Sequence, residues 1–124
     1  MAGLTLDAGA LIALERRKQR AVGLLTVAHE DGWSVTAPST AIAEWWRGRT
    51  DTRESILAAI EVEPVSLALA RLAGEAIARV RGATLADAIV MASAARRGDR
   101  VLTGDVRDLQ KLQAYFPAVK ILGI

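Results

Sequence analysis

Leu4-Thr5-Leu6-Asp7-Ala8-Gly9-Ala10-Leu11-Ile12 reads as a strand that runs into a helix, with an acid at the joint. Residues 3–6 alternate as a short strand, Asp7-Ala8-Gly9 is the turn that ends it, and Leu11, Ile12 and Leu14 open a helical spacing. The same order returns near the C-terminus, where Arg100-Val101-Leu102-Thr103 reads as a strand and Gly104-Asp105 follows it. Strands that alternate with helices in this way predict a parallel sheet.

Working outward, Val22, Leu24, Leu25 and Val27 continue the helical spacing past the basic stretch Arg16-Arg17-Lys18-Gln19-Arg20. One long or broken helical region over about 8–30 is expected. Asp31-Gly32 is a turn, and Trp33-Ser34-Val35-Thr36 is a second strand, stopped before Pro38. Ser39 is the expected N-cap of a helix that runs through Glu44 to about Arg47, and another helix follows over about 51–60. Val62 to Val65 carries Pro64, which places that strand at a sheet edge. Ser66 and Thr84 are expected caps of two further helices, the second closed by Gly98. A short helix from Asp105 or Val106 to Gln113 and a last strand at Lys120-Ile121-Leu122 complete the chain. The fold class is α/β: a single domain over 1–124, with a central parallel sheet of about five strands and helices on both faces.

Composition narrows the chemistry. The 124 residues include no cysteine, which removes zinc–thiolate sites, iron–sulfur clusters, disulfides and thiol nucleophiles together. The single histidine, His29, sits in a polar helix end and reads as a solvated cap residue, so no paired-histidine ribonuclease mechanism is available. Net charge is only +2, but 13 of the 16 basic residues are Arg, whose planar fork suits phosphate. Solvated helix faces explain the arginines equally well. Arg16, Arg17 and Arg47 are candidate RNA- or partner-binding residues. The N-terminus has no basic segment before an apolar stretch, and no apolar run is long enough to span a bilayer, so no membrane association and a cytoplasmic location are expected.

Four acids fall at or inside aliphatic runs: Asp7, Glu44 in Ala41-Ile42-Ala43-Glu44-Trp45-Trp46, Asp87 in Leu85-Ala86-Asp87-Ala88-Ile89-Val90, and Asp105. Taken singly, Asp7 and Asp105 are ordinary N-caps, and Glu44 and Asp87 are surface positions of amphipathic helices. Taken together, they follow strands or capped loops whose C-terminal ends form the ligand-binding edge of a parallel sheet. Carboxylates in apolar surroundings without matching lysines call for a bound cation. Oxygen ligands without nitrogen or sulfur select Mg²⁺ or Mn²⁺. Crowding and burial should raise at least one of their pKa values.

Leu6-Asp7-Ala8-Gly9-Ala10-Leu11-Ile12, Ala43-Glu44-Trp45-Trp46-Arg47-Gly48, Leu85-Ala86-Asp87-Ala88-Ile89-Val90-Met91-Ala92 and Leu102-Thr103-Gly104-Asp105 resemble, in order, the four acidic motifs of PIN domains. Length, order and spacing are similar to those of the single-domain VapC toxins of VapBC toxin–antitoxin pairs. The resemblance runs from residue 4 to the C-terminus. It implies a PIN-like three-layer fold and a Mg²⁺- or Mn²⁺-dependent endoribonuclease. It further implies that a cognate VapB-type antitoxin silences the activity, and usually a homodimer. By matching positions, Asp7, Glu44, Asp87 and Asp105 would be the catalytic metal-site acids. Thr103 would hold a carboxylate or water by its hydroxyl. Many relatives carry a small polar residue where this chain has Gly9. Asp108 is either an outer ligand or an exposed first-turn acid, and the exposed reading is preferred.

Three other readings compete. An aspartyl-phosphate phosphatase needs a second Asp where Gly9 stands, and a receiver domain needs adjacent acids and a C-terminal lysine that Ala8 and Gly123 do not supply. A non-catalytic RNA- or protein-binding PIN-like module is the stronger rival. Of Trp45 and Trp46, at least one is expected in the core and the other at an interface.

Overall fold

The computed structural model describes residues 3–124. The opening strand is β1 (Gly3–Leu6), buried along its whole length. It lies at the centre of a five-stranded sheet with β2 (Ser34–Pro38), β3 (Glu61–Glu63), β4 (Arg100–Thr103) and β5 (Ile121–Gly123), in the order β3-β2-β1-β4-β5. All four pairings are parallel, and Leu4 stands opposite both Val35 and Arg100. The chain first builds leftward from β1 to β3, then returns to place β4 on the other side of β1. Strand order therefore reverses between β1 and β4.

Alternation along the strands sorts the core into two layers. Leu4, Leu6, Val35, Ala37 and Leu102 face α1 (Ala8–Glu15), α2 (Gln19–Glu30), α3 (Ser39–Trp45) and α4 (Asp51–Ala58). Val101 faces the other way, onto α5 (Leu67–Arg79), α6 (Leu85–Arg97) and α7 (Val106–Leu112), where Leu69, Ile89, Met91 and Leu109 complete the second layer. The three-layer α/β arrangement expected from the sequence is present.

Several boundaries differ from expectation. The helical region over 8–30 takes the broken form of the two allowed, interrupted at Arg16–Lys18 with Arg17 in a left-handed conformation. β2 does not stop before Pro38 but ends on it, because Pro38 pairs with Glu63 of the edge strand. Pro38 consequently takes the N-cap place expected for Ser39. α3 ends at Trp45, where the backbone turns extended at Trp46. The third strand starts one residue before Val62 and ends at Glu63, so Pro64 follows the edge strand rather than lying in it, and the last strand is shifted by one residue. Ser66 and Thr84 cap α5 and α6 through the amides of Leu69 and Asp87, and left-handed Gly98 ends α6.

A polar network under the C-terminal end of α6 carries no sequence signature. Arg97 donates to Asp99 at 3.0 Å, Glu63 at 2.7 Å, Thr5 at 2.8 Å and Ser93 at 2.9 Å. Thr5 and Ser93 in turn donate to Asp99 and Glu63. Burial pushes Glu63 up, but hydrogen bonds from Ser93 and Arg97 and the charges of Arg97 and Arg96 outweigh it and leave its pKa low. Gly3 admits Asp99 to this network, since a Cβ there would stand 2.3 Å from its Oδ1.

Candidate metal centre and its acidic cavity

Asp7 leaves β1 and caps α1, with its Oδ1 accepting from the Ala10 amide at 2.8 Å. Its Oδ2 accepts from the Thr103 hydroxyl, and the same hydroxyl receives the Asp105 amide at 2.9 Å. Thr103 thus links the acid after β1 to the acid after β4 across the point where strand order reverses. Asp105 caps α7, accepting from the Asp108 amide at 3.4 Å. For both aspartates the capping role and the place at the sheet edge coexist. Asp87 is in the first turn of α6, with its own amide held by Thr84 at 3.2 Å. Glu44 is the penultimate residue of α3.

All four acids line one cavity of about 430 Å³, together with Thr84, Gly104 and Asp108. Its floor is closed by two backbones in contact: a Cβ on Gly9 would stand 3.0 Å from Gly104 Cα, and one on Gly104 would stand 3.2 Å from Gly9 Cα. The absence of a side chain at position 9 therefore lets the loops after β1 and β4 approach.

The expectation that all four acids sit among apolar side chains is corrected. Asp7 and Asp87 are half-buried, whereas Glu44 and Asp105 are exposed, one at a helix end and one on a loop. Asp108 departs from the preferred exposed reading. It is half-buried, faces the cavity and pairs with Lys111 at 3.4 Å. Lys111, which the sequence reading passed over, brings a cation to the rim from the next turn of α7.

Burial raises the pKa of Asp7, and the charge of Asp87 adds to it, against hydrogen bonds from Thr103, Ala10 and Gly104. Burial likewise raises Glu44, helped by Asp87 and Asp7. Asp87 is raised by burial and by Asp108 and Asp105, with Thr84 and Lys111 opposing. The acids thus share one repulsive field, and among the described residues no three of them are drawn into a ready cation cage. The donor set fits a hard divalent ion: it is all oxygen, negative, and mutually repelled until a cation enters.

The candidate arginines stand elsewhere. Arg16 ends α1, and Arg17 lines a separate groove of about 770 Å³ with Leu14, Val22, Leu25 and Ile56. Arg47 folds back on the Trp46 carbonyl at 2.7 Å. His29 is exposed in the last turn of α2, within 2.9 Å of the Ala59 carbonyl. Trp45 is buried, and Trp46 packs edge-on against it at 5.9 Å while staying half-exposed.

No family model matches the chain, and no curated protein matches it. Solved structures do. A chain of VapBC2 from Rickettsia felis, bound to a DNA fragment from its promoter, aligns with a TM-score of 0.77 at 12% identity, covering 100% of this chain and 99% of that one. DNA-bound VapBC from Salmonella typhimurium gives 0.77 at 14%, over 99% and 98%. VapBC-5 from Mycobacterium tuberculosis, of a family of toxin–antitoxin systems, gives 0.57 at 22%, over 99% and 98%. At these identities the likeness is one of fold, and it is the PIN-like three-layer fold that the motifs resembled. No helix among the described residues is long and apolar enough to cross a membrane.

Proposed function

We propose that this protein is a Mg²⁺- or Mn²⁺-dependent endoribonuclease acting as the toxin of a type II toxin–antitoxin pair. The observation that carries the reading is the meeting of Asp7, Glu44, Asp87 and Asp105, from four separate segments, in one cavity beside the reversal of strand order. The full-length likeness to chains of VapBC structures supports the toxin role and a VapB-type partner.

Asp7 is the fixed member of the site, since Thr103 and the Ala10 amide engage both its oxygens. Asp87 is steadied by the first turn of α6, whose amide dipoles favour negative charge. Exposed Glu44 and Asp105, from α3 and the N-cap of α7, would complete the donor set. A bound cation would supply charge neutralisation at the phosphate and a more acidic water for in-line attack. The proton that the attacking water gives up would pass to one of the carboxylates that line the cavity. The resemblance to PIN domains implies that the 3′-oxygen leaves, giving 5′-phosphate and 3′-hydroxyl ends, and with water as nucleophile methylation of the scissile 2′-hydroxyl is tolerated wherever binding survives. In this reading an antitoxin arginine covers the acids with a charge-assisted contact, and the enzyme works as a homodimer.

The test is cleavage of a mixed RNA pool, with end-mapping, by wild type and Asp87→Asn, with and without Mn²⁺. Metal-dependent 5′-phosphate ends from wild type alone are expected. Recovery of 2′,3′-cyclic phosphates contradicts the chemistry. Growth arrest by Asp87→Asn as strong as by wild type instead favours the non-catalytic RNA- or protein-binding module.

A further inference from the structure

The position of Glu44 depends on a helix that does not secure its own ends. α3 is only seven residues long, its N-cap is Pro38 with no side-chain hydrogen bond, and the chain leaves it extended at Trp46. Helices of this length draw their stability from packing rather than from backbone bonding. The residue that anchors the end is Trp45, 3% exposed, whose Nε1–H donates to Glu15 Oε1 at 2.8 Å. Arg53 of α4 grips the same carboxylate with both oxygens engaged, Nε to Oε1 at 3.0 Å and Nη2 to Oε2 at 3.1 Å. A third donor, Arg53 Nη1, reaches the Gly48 carbonyl at 3.0 Å and ties down the loop leaving α3. Glu15 is the last residue of α1, and Asp7 caps the first turn of that helix. α1 is therefore a strut with one site acid at its head and, at its foot, the carboxylate that holds the helix of another.

We propose that Glu15 is a positioning residue that fixes Glu44 relative to Asp7, by holding the Trp45 indole and the Arg53 guanidinium together. Only the cation-dependent part of this rests on the function proposed above. An ionised acceptor strengthens the indole bond, and its loss would leave a buried N–H without a partner. Glu15 touches neither the cavity nor anything bound there, so it acts through Trp45.

The experiment compares wild type with Glu15→Leu, Glu15→Gln, Trp45→Phe and the Glu15→Leu/Trp45→Phe double variant. The first readout is the residual dipolar coupling of the Glu44 amide in metal-free protein, which reports bond direction and is blind to ring currents. Glu15→Leu and Trp45→Phe should each change it, and the double variant should change it no further. Glu15→Gln keeps an oxygen for the indole and should change it less. The second readout is the Mn²⁺ concentration for half-maximal RNA cleavage, which should rise about tenfold in Glu15→Leu and Trp45→Phe. A Glu44 coupling unmoved by Trp45→Phe overturns the proposal, and that variant decides alone should Glu15→Leu fail to fold. Wild type that neither cleaves RNA nor responds to Mn²⁺ removes the nuclease reading, while the coupling still decides the positioning.

Discussion

The two ends of α6 handle negative charge in opposite ways. Its first turn carries Asp87 into a cavity shared with Asp7, Glu44 and Asp105, and its last turn carries Arg97 into the network of Glu63 and Asp99. Ten residues separate them, about 15 Å along the helix. At the Arg97 end each carboxylate meets a guanidinium, and Glu63 is held below the ordinary carboxylate range. At the Asp87 end the carboxylates meet one another, and Asp7, Glu44 and Asp87 are all raised. Carboxylates at one end are internally compensated and hold the fold together. Those at the other are compensated only in part, by the Thr103 hydroxyl, the Ala10 amide and Lys111.

The largest expected effects fall on activity at the Asp87 end. Under the proposed function, Asp87→Asn should lower Mn²⁺-dependent RNA cleavage more than about 100-fold, since loss of a direct ligand would exceed the usual penalty for its supporting groups. Its metal-free melting temperature should stay level or rise, because one source of repulsion is gone. A large fall in melting temperature would show that Asp87 is structural and erase the contrast.

Thr103→Val should weaken Mn²⁺ binding about 10–100-fold, read by calorimetry, since Asp7 loses its hydroxyl partner. Unchanged affinity would mean that Thr103 serves only the turn before Asp105.

Arg97→Met should act on stability. Removing it leaves Asp99, 5% exposed, without its guanidinium and should cost about 3 kcal/mol in urea unfolding. The protein that remains folded should respond to Mn²⁺ as wild type does. Altered metal response with little destabilisation would join the two ends into one functional unit.

The smallest effect is the pH dependence of the metal-free protein. Acids whose folded pKa is raised bind protons more readily in the native state, so their stabilising contribution is present at low pH and lost as pH rises through the folded value. Glu63, held low, contributes in the opposite sense and is lost only as pH falls below the ordinary range. Melting temperature should therefore rise modestly as pH drops from neutral toward the ordinary carboxylate values, then fall. Asp87→Asn should flatten the rise and leave the fall, and saturating Mn²⁺ should abolish the rise. A monotonic fall from neutral pH in metal-free wild type would contradict the raised values.

The Asp87 end was legible in the sequence because its acids interrupt short apolar runs, and each run marks a strand or helix end. Local chemistry also announced Ser66, Thr84 and Gly98 as caps and stops. The Arg97 end was illegible because Arg97 meets Thr5 and Glu63 across 92 and 34 residues, and only the folded sheet brings them together. Glu15, Trp45 and Arg53 were hidden for the same reason. Asp108 and Lys111 form a short-range pair that could have been found, since a spacing of three residues on a helix puts them side by side. The shift at Pro38 reflects a tertiary choice: the edge strand claims that residue before the helix can begin.

The contact between Gly9 and Gly104 constrains how this sequence can drift. A serine at position 9 would press its Cβ against the Gly104 backbone, and a side chain at 104 would do the same in reverse. Loss of either glycine therefore requires the opposite loop to give by a few tenths of an ångström. Gly9→Ser, introduced alone, should spread the loops that carry Asp7 and Asp105, although it removes no acid. The spacing of β1 and β4 at their C-terminal ends is thus set in part by two residues that carry no side chain.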